Sequence, residues 1–405
     1  MVEPCAVWET GDVNDHGSTE RIAALTKDQR VRAVGSVVAA ATGDALGAPY
    51  EFLAPIPDSD DVEMVGGGVL DWGPGEWTDD TAMAIVVLEA ALAHPTHDLR
   101  SPEALDLIAR DWHTWAQVTP DIGALTSTVV RKATDVALAA GRLAPCGEDY
   151  AHAARLAHEQ LPLAAGNGAL MRVHASVLPS LLGSEDDTAE MVSAVCALTH
   201  AHPDVAEACL LWGMAIRHAV LSGELDVRCG LRRLEPERAE VWDRRIQEAE
   251  DAPPSAFRRN GWVVGAFQAA WSSIHRELPL PEGRFARREA LSRALESAVR
   301  VGYDTDTVAC ITGALMGAAL GRKAVAPEWR RELFGWPEQR IEDLESLVER
   351  LLDAISEGSP DSMSVPDGAP GHGHDPHRHD PHGHDPHGHD PHGHDPEGTT
   401  VPCTA

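Results

Sequence analysis

Residues 82–93 and 308–320 are apolar on nearly every face that a helix can present, and this restricts the fold more than any other feature of the chain. A helix without a polar side cannot lie on a surface, so both stretches belong at the centre of a multi-layered helical domain. The second carries Gly313, Gly317 and Gly321 among Ala314, Ala318 and Ala319. So little side-chain bulk favours close helix approach, at a cost in helix propensity that tight packing must offset. The helical period returns in residues 31–41, 102–115, 122–141, 188–199, 203–222, 261–274, 287–301 and 341–355. No period-2 alternation bounded by turn residues competes with it, so the expected fold is all-α. The run through Val31, Val34, Val37, Val38 and Ala41 is expected to stop at a glycine-rich turn, Gly43-Asp44-Ala45-Leu46-Gly47.

With 405 residues, 43% of them hydrophobic, the chain can bury a large core. Residues 1–27 are mixed and polar and read as a loosely ordered lead-in, residues 28–356 as the folded body, and residues 357–405 as a disordered tail. Within that tail, residues 372–396 are five copies of a five-residue unit, HGHDP with one HRHDP. Proline at every fifth position prevents regular helix. The ten histidines can chelate Ni²⁺, Zn²⁺ or Co²⁺, although a solvated spacer would have the same composition.

There is no run of about 18 apolar residues that would span a membrane, and the first thirty residues lack the basic-then-apolar order of a secretion signal. A cytoplasmic protein without membrane association is therefore expected. Seven scattered cysteines without a CxxC pair suit reduced thiols. The formal charge of −31 weighs against direct nucleic-acid binding, which needs basic residues to displace counterions from the phosphate backbone. A pocket for a phosphorylated small molecule stays open, because backbone N–H groups at helix starts bind anions without net positive charge.

Two acidic clusters stand at helix starts: Thr78-Asp79-Asp80-Thr81 and Asp304-Thr305-Asp306-Thr307. Each alone reads as an N-cap with first-turn acids that complement the helix dipole. Packed together they would repel one another, and a divalent cation is the economical remedy. Carboxylates and hydroxyls offer only oxygen, the ligand set of Mg²⁺, Mn²⁺ or Ca²⁺. Glu51, just beyond the glycine-rich segment, is either a base at a pocket mouth or a solvated loop acid. In Gly166-Asn167-Gly168 two glycines expose backbone N–H groups, and Arg172 adds positive charge nearby. His200 and His202 either orient substrate or cap a helix C-terminus.

Taken in order, GDALGAPYEF, GGG followed by PGEWTDDTAMA, PDIG, AGNGALMR, THAHP and GYDTDTVA resemble the ADP-ribosylglycohydrolase family over about residues 30–322. That family includes the enzyme that removes ADP-ribose from dinitrogenase reductase and the ADP-ribosylarginine and ADP-ribosylserine hydrolases. The resemblance implies an all-α domain with a binuclear Mg²⁺ or Mn²⁺ site, held by Thr78, Asp79 and Asp80 on one side and Asp304, Asp306 and Thr307 on the other. It implies that Glu51 contacts the metal site as base or gate, and that Asp121 and Gly123 lie near the substrate ribose. Gly166, Asn167, Gly168 and His200 match segments lining an ADP-ribose pocket. Where the family carries a polar pair ending in Arg after PDIG, this chain has Ala124-Leu125-Thr126-Ser127-Thr128, a departure that bears on acceptor recognition.

The implied reaction is hydrolysis at C1 of the distal ribose through an oxocarbenium-like transition state, releasing ADP-ribose from a modified protein, with arginine the leading acceptor. Asp306 belongs to its catalytic set, with Glu51 or Asp121 as the base. The alternatives are hydrolysis of small ADP-ribosyl compounds or ADP-ribosylated nucleic acid, an ADP-ribose-binding module without turnover, and metal storage through the histidine tail. The sequence leaves the oligomeric state open.

Overall fold

The computed structural model of the chain describes residues 22, 24–161 and 163–357; the lead-in before residue 22 and the histidine repeats lie outside them. The helices are α1 (Lys27–Gly47), α2 (Asp79–Ala93), α3 (Pro102–Trp115), α4 (Ala124–Ala139), α5 (Gly147–Gln160), α6 (Val173–Val177) and α7 (Glu185–Ala197). They continue with α8 (Pro203–Ser222), α9 (Pro236–Asp251), α10 (Val263–His275), α11 (Arg284–Val299), α12 (Thr305–Leu320), α13 (Pro327–Glu332) and α14 (Ile341–Glu357). A two-residue antiparallel hairpin, β1 (Phe334–Gly335) and β2 (Gln339–Arg340), precedes α14. The fold is all-α, and the described residues belong to one compact unit.

The two all-apolar stretches become α2 and α12, and every residue of α12 is buried. Glycine decides how α12 meets α1. A Cβ on Gly313 would stand 2.0 Å from the Ala39 carbonyl oxygen, one on Gly317 2.1 Å from that of Gly35, and one on Gly43 2.1 Å from that of Ala309. The two backbones therefore touch along their length, and any side chain larger than hydrogen at these positions would force them apart.

That contact corrects the expectation that the first helix stops at Gly43. α1 runs on through Gly47, followed by a single 3₁₀ turn at Ala48–Tyr50. Gly43 and Gly47 serve close approach rather than a turn: a Cβ on Gly47 would meet the Asp306 backbone at 2.4 Å. The helical periodicity gave α3 and α8 to the residue. It missed α5, whose buried side is half alanine, and α9, where only Trp242, Ile246 and Ala249 are buried in a highly charged segment. By length and composition α8 would suffice to cross a membrane, yet 72% of its apolar window is buried inside the domain, as in a core helix.

Candidate metal centre

α2 and α12 begin side by side. The Thr307 hydroxyl donates to Asp80 Oδ2 at 3.3 Å across 227 positions of sequence. Neither helix is capped by its own N-cap side chain, Thr78 for α2 and Asp304 for α12. The N-cap reading of Thr78 and Asp304 therefore fails, while Asp79, Asp80 and Asp306 stand in the first turns as expected, Asp306 Oδ1 accepting from the Thr307 amide at 2.9 Å. For α2 the capping role passes to Asp44 of α1. One Asp44 oxygen accepts from the Thr78 amide (2.9 Å) and hydroxyl (2.7 Å), the other from the Thr81 amide (3.0 Å) and hydroxyl (2.6 Å). A donating hydroxyl keeps its lone pairs, so Thr78 can still serve as a ligand. Thr305 closes the other side by donating to the Gly47 carbonyl at 2.8 Å.

Two sets of carboxylates have oxygens within 4.8 Å of one another: Asp44, Asp80 and Asp306, and Glu51, Asp304 and Asp306. Asp306 is common to both. Asp44, Asp80 and Asp306 form the buried floor; Glu51, Asp79, Asp121 and Asp304 are half-buried above it. Asp80 Oδ1 and Glu51 Oε2 are buried with no hydrogen-bond partner among the described residues. Orphaned buried oxygens are rare unless an ion or water meets them.

The electrostatics agree. Burial first, and neighbouring carboxylates second, push Asp79, Asp80 and Asp306 well above the usual carboxylate range. Burial also raises Asp44 and Asp304, against the pull of the threonine donors on the former and Asn167 on the latter. Burial, then Asp121, Asp304 and Asp79, lifts Glu51 to about 9; burial, then Asp44 and Asp304, lifts Asp121 to about 6. No Lys or Arg is hydrogen-bonded to any of these carboxylates among the described residues, so divalent cations fit where protein charge does not compensate.

The remaining expected residues surround this centre. The Gly123 backbone N–H lies near enough to Asp79 to oppose the upward shift of its carboxyl, which brings the PDIG segment against the first turn of α2. Asn167 uses both amide hydrogens, donating to Asp304 Oδ2 and to the Asn260 carbonyl at 2.8 Å each. Gly166 and Gly168 lie against the His200 ring, which would stand 3.7 and 3.5 Å from a Cβ at those positions. Burial, then the Arg172 charge, pushes His200 down to about 3, so its imidazole is neutral at physiological pH.

Two expectations change. Arg172 is only 1% exposed; it lies 4.5 Å over the Trp112 ring and donates to the Gly168 carbonyl and the Thr199 hydroxyl. It shapes the glycine loop from beneath rather than presenting charge to a ligand. His202 caps the N-terminus of α8, accepting from the Asp204 amide at 3.1 Å, rather than a helix C-terminus.

Asp44 and Asn260 escaped the sequence reading. Asp44 sat in a segment read as a turn, and Asn260 has no local pattern, although it donates to the Gly302 carbonyl at 2.8 Å and holds the approach to Asp304. A cleft of about 370 Å³ opens over the centre, lined by Glu51, Phe52, Arg258, Asn260, Tyr303 and Asp304 among others.

A family model described as ADP-ribosylglycohydrolase matches residues 25–360. The ADP-ribosyl-[dinitrogen reductase] glycohydrolase of Rhodospirillum rubrum is 26% identical over 309 residues, covering 75% of this chain and 90% of that protein. The ADP-ribosylarginine hydrolase Tri1 of Serratia proteamaculans is 25% identical, with 77% of each chain covered. The human ADP-ribosylhydrolase ARH3 is 27% identical, covering 76% of this chain and 90% of that one. A solved structure titled ADP-ribosylglycohydrolase-related protein complex superposes with a TM-score of 0.56 at 24% identity, over 82% of this chain and all of that one.

Proposed function

The chain belongs to the ADP-ribosylglycohydrolase family, and on that premise we propose that it removes ADP-ribose from modified proteins by hydrolysing the bond between C1 of the distal ribose and an arginine nitrogen. The observation that carries this is the pair of carboxylate triads sharing Asp306 beneath an open cleft. Asp80 and Asp306, with Thr78, Thr307, Asp79 and Asp304, would hold two Mg²⁺ or Mn²⁺ ions. When bound, these cations supply Lewis acidity toward vicinal ribose hydroxyls and an attacking water.

The chain's own residues supply the rest. Asn167 fixes the Asp304 carboxylate, and the amides around Gly166 and Gly168 offer donors to the pyrophosphate, which lets so acidic a protein accept an anionic ligand. Neutral His200 keeps the floor of that loop rigid without adding charge. Glu51 lines the cleft through which the acceptor would leave, with one oxygen unpartnered, and would pass a proton to the departing nitrogen as the C1–N bond breaks. Asp121, raised less strongly and close enough to Asp79 to raise it in turn, would take the proton from water. Arginine is favoured as acceptor because even two dications leave the carboxylate cluster with excess negative charge, which suits a cationic guanidinium product.

Hydrolysis of an arginine-linked ADP-ribosyl peptide should require Mg²⁺ or Mn²⁺ and stop with chelator. The Asp304→Ala, Asp306→Ala double variant should lose at least about 100-fold in kcat, the scale of one missing electrostatic element or more. Unchanged turnover in that variant would overturn the metal-centred mechanism.

A further inference from the structure

Phe52 and Tyr303 each sit beside a carboxylate of the centre, Phe52 directly after Glu51 and Tyr303 directly before Asp304, and both adopt the left-handed backbone region, at φ 64° and 63°. Bulky aromatic residues rarely do so, because the Cβ crowds the backbone; glycine or asparagine is the ordinary occupant. The surroundings hold both in place. The Phe52 amide donates to the Tyr303 carbonyl at 2.6 Å, and the Tyr303 amide donates to the Leu53 carbonyl at 2.8 Å. Asn260 holds the Gly302 carbonyl behind them. Backbone strain kept at a site rim in this way points to a use for the side chains.

The rings themselves are not core. Phe52 is 60% and Tyr303 38% exposed, both line the cleft, and neither ring stacks on another among the described residues. Two electron-rich ring faces thus flank the opening between Glu51 and Asp304. Arg258 shares the lining, while Asp304 and the carboxylates gathered with it keep this end of the cleft negative. A flat cation that can lie against an aromatic face while its edge meets carboxylates is a guanidinium.

We propose that Phe52 and Tyr303 form the acceptor-specificity element of this enzyme, stacking the guanidinium of an ADP-ribosylated arginine at the mouth of the cleft. This rests on the arginine-linked glycohydrolase reading above. It assigns acceptor recognition to two residues that the chain holds in conformations better suited to glycine, and leaves the nucleotide to the glycine loop.

The test uses Phe52→Asn and Tyr303→Asn in the full chain. Asparagine accepts the left-handed backbone, so melting temperatures should stay level or rise while the rings are lost. KM for an arginine-linked peptide should rise roughly three- to thirtyfold, the range of one partly desolvated cation–π contact. Inhibition by free ADP-ribose should hold within about twofold, and Tyr303→Phe, which keeps the ring, should restore the wild-type KM. An unchanged arginine-linked KM would overturn the assignment. So would weaker inhibition by ADP-ribose, which would place the nucleotide base on these rings, or an equal loss on serine-linked peptide. Wild-type protein that hydrolyses neither linkage in Mg²⁺ or Mn²⁺ would instead overturn the glycohydrolase reading itself, before any variant is compared.

Discussion

Asp44 shows how much can rest on one side chain. Its two oxygens accept four hydrogen bonds from Thr78 and Thr81, so it orders the first turn of α2, and one of its oxygens also lies in the Asp80–Asp306 triad. Asp44→Asn preserves volume but turns an amide NH₂ toward a backbone N–H that has no other acceptor in that turn. The expected loss is about 1–3 kcal/mol, the cost of a buried donor left unsatisfied, read as a lower urea midpoint with an unchanged slope. Wild-type stability in this variant would show that the cap is dispensable. At this scale the sequence was legible where the residues that come together lie in contiguous runs. Thr78 to Asp80 and Asp304 to Thr307 announce themselves because neighbouring residues share a task. Asp44 and Asn260 act singly, from distant elements, and nothing beside them in the chain marks the role. Arg172 misled because a positive charge near a glycine loop says nothing about which side of the loop it occupies.

Elements place these residues, and the pairing of α1 with α12 governs the placement: Glu51 follows the end of α1, and Asp304 and Asp306 begin α12. In an ordinary helix interior Gly→Ala stabilises by about 1 kcal/mol. At Gly313 the new methyl would stand 2.0 Å from the Ala39 carbonyl oxygen, which is backbone and cannot turn aside. Overpacking of about 1–3 kcal/mol or more outweighs the propensity gain, so Gly313→Ala should lower the melting temperature. Because the helices must separate, the rise in melting temperature produced by Mn²⁺ should shrink as well; an undiminished rise would show that the centre does not depend on this contact. The small residues of α12 revealed the closeness of packing in the sequence, but not the partner. The same closeness hid the end of α1, since glycines selected for backbone contact look identical to glycines selected for a turn. α9 was lost for a different reason: three buried positions in a charged segment give too weak a periodic signal.

For the whole molecule, a formal charge of −31 and a core of buried carboxylates act in the same direction. Folding lifts Asp121 to about 6 and Glu51 to about 9, with Asp79, Asp80 and Asp306 also raised by burial and mutual repulsion. Groups raised on folding bind protons more tightly in the native state than in the unfolded chain. Their stabilising effect is complete below the ordinary carboxylate range and is lost as pH climbs through the raised values. Metal-free protein should therefore lose stability steadily from about pH 5 to about pH 9. A divalent cation competes with the same protons, so its affinity grows as they leave. The increase in melting temperature on adding Mn²⁺ should then be small near pH 5 and several-fold larger near pH 8, measured by thermal unfolding at fixed metal concentration and ionic strength. A metal-induced increase that is flat with pH, or that shrinks toward alkaline conditions, would mean that the cations do not bind at these carboxylates.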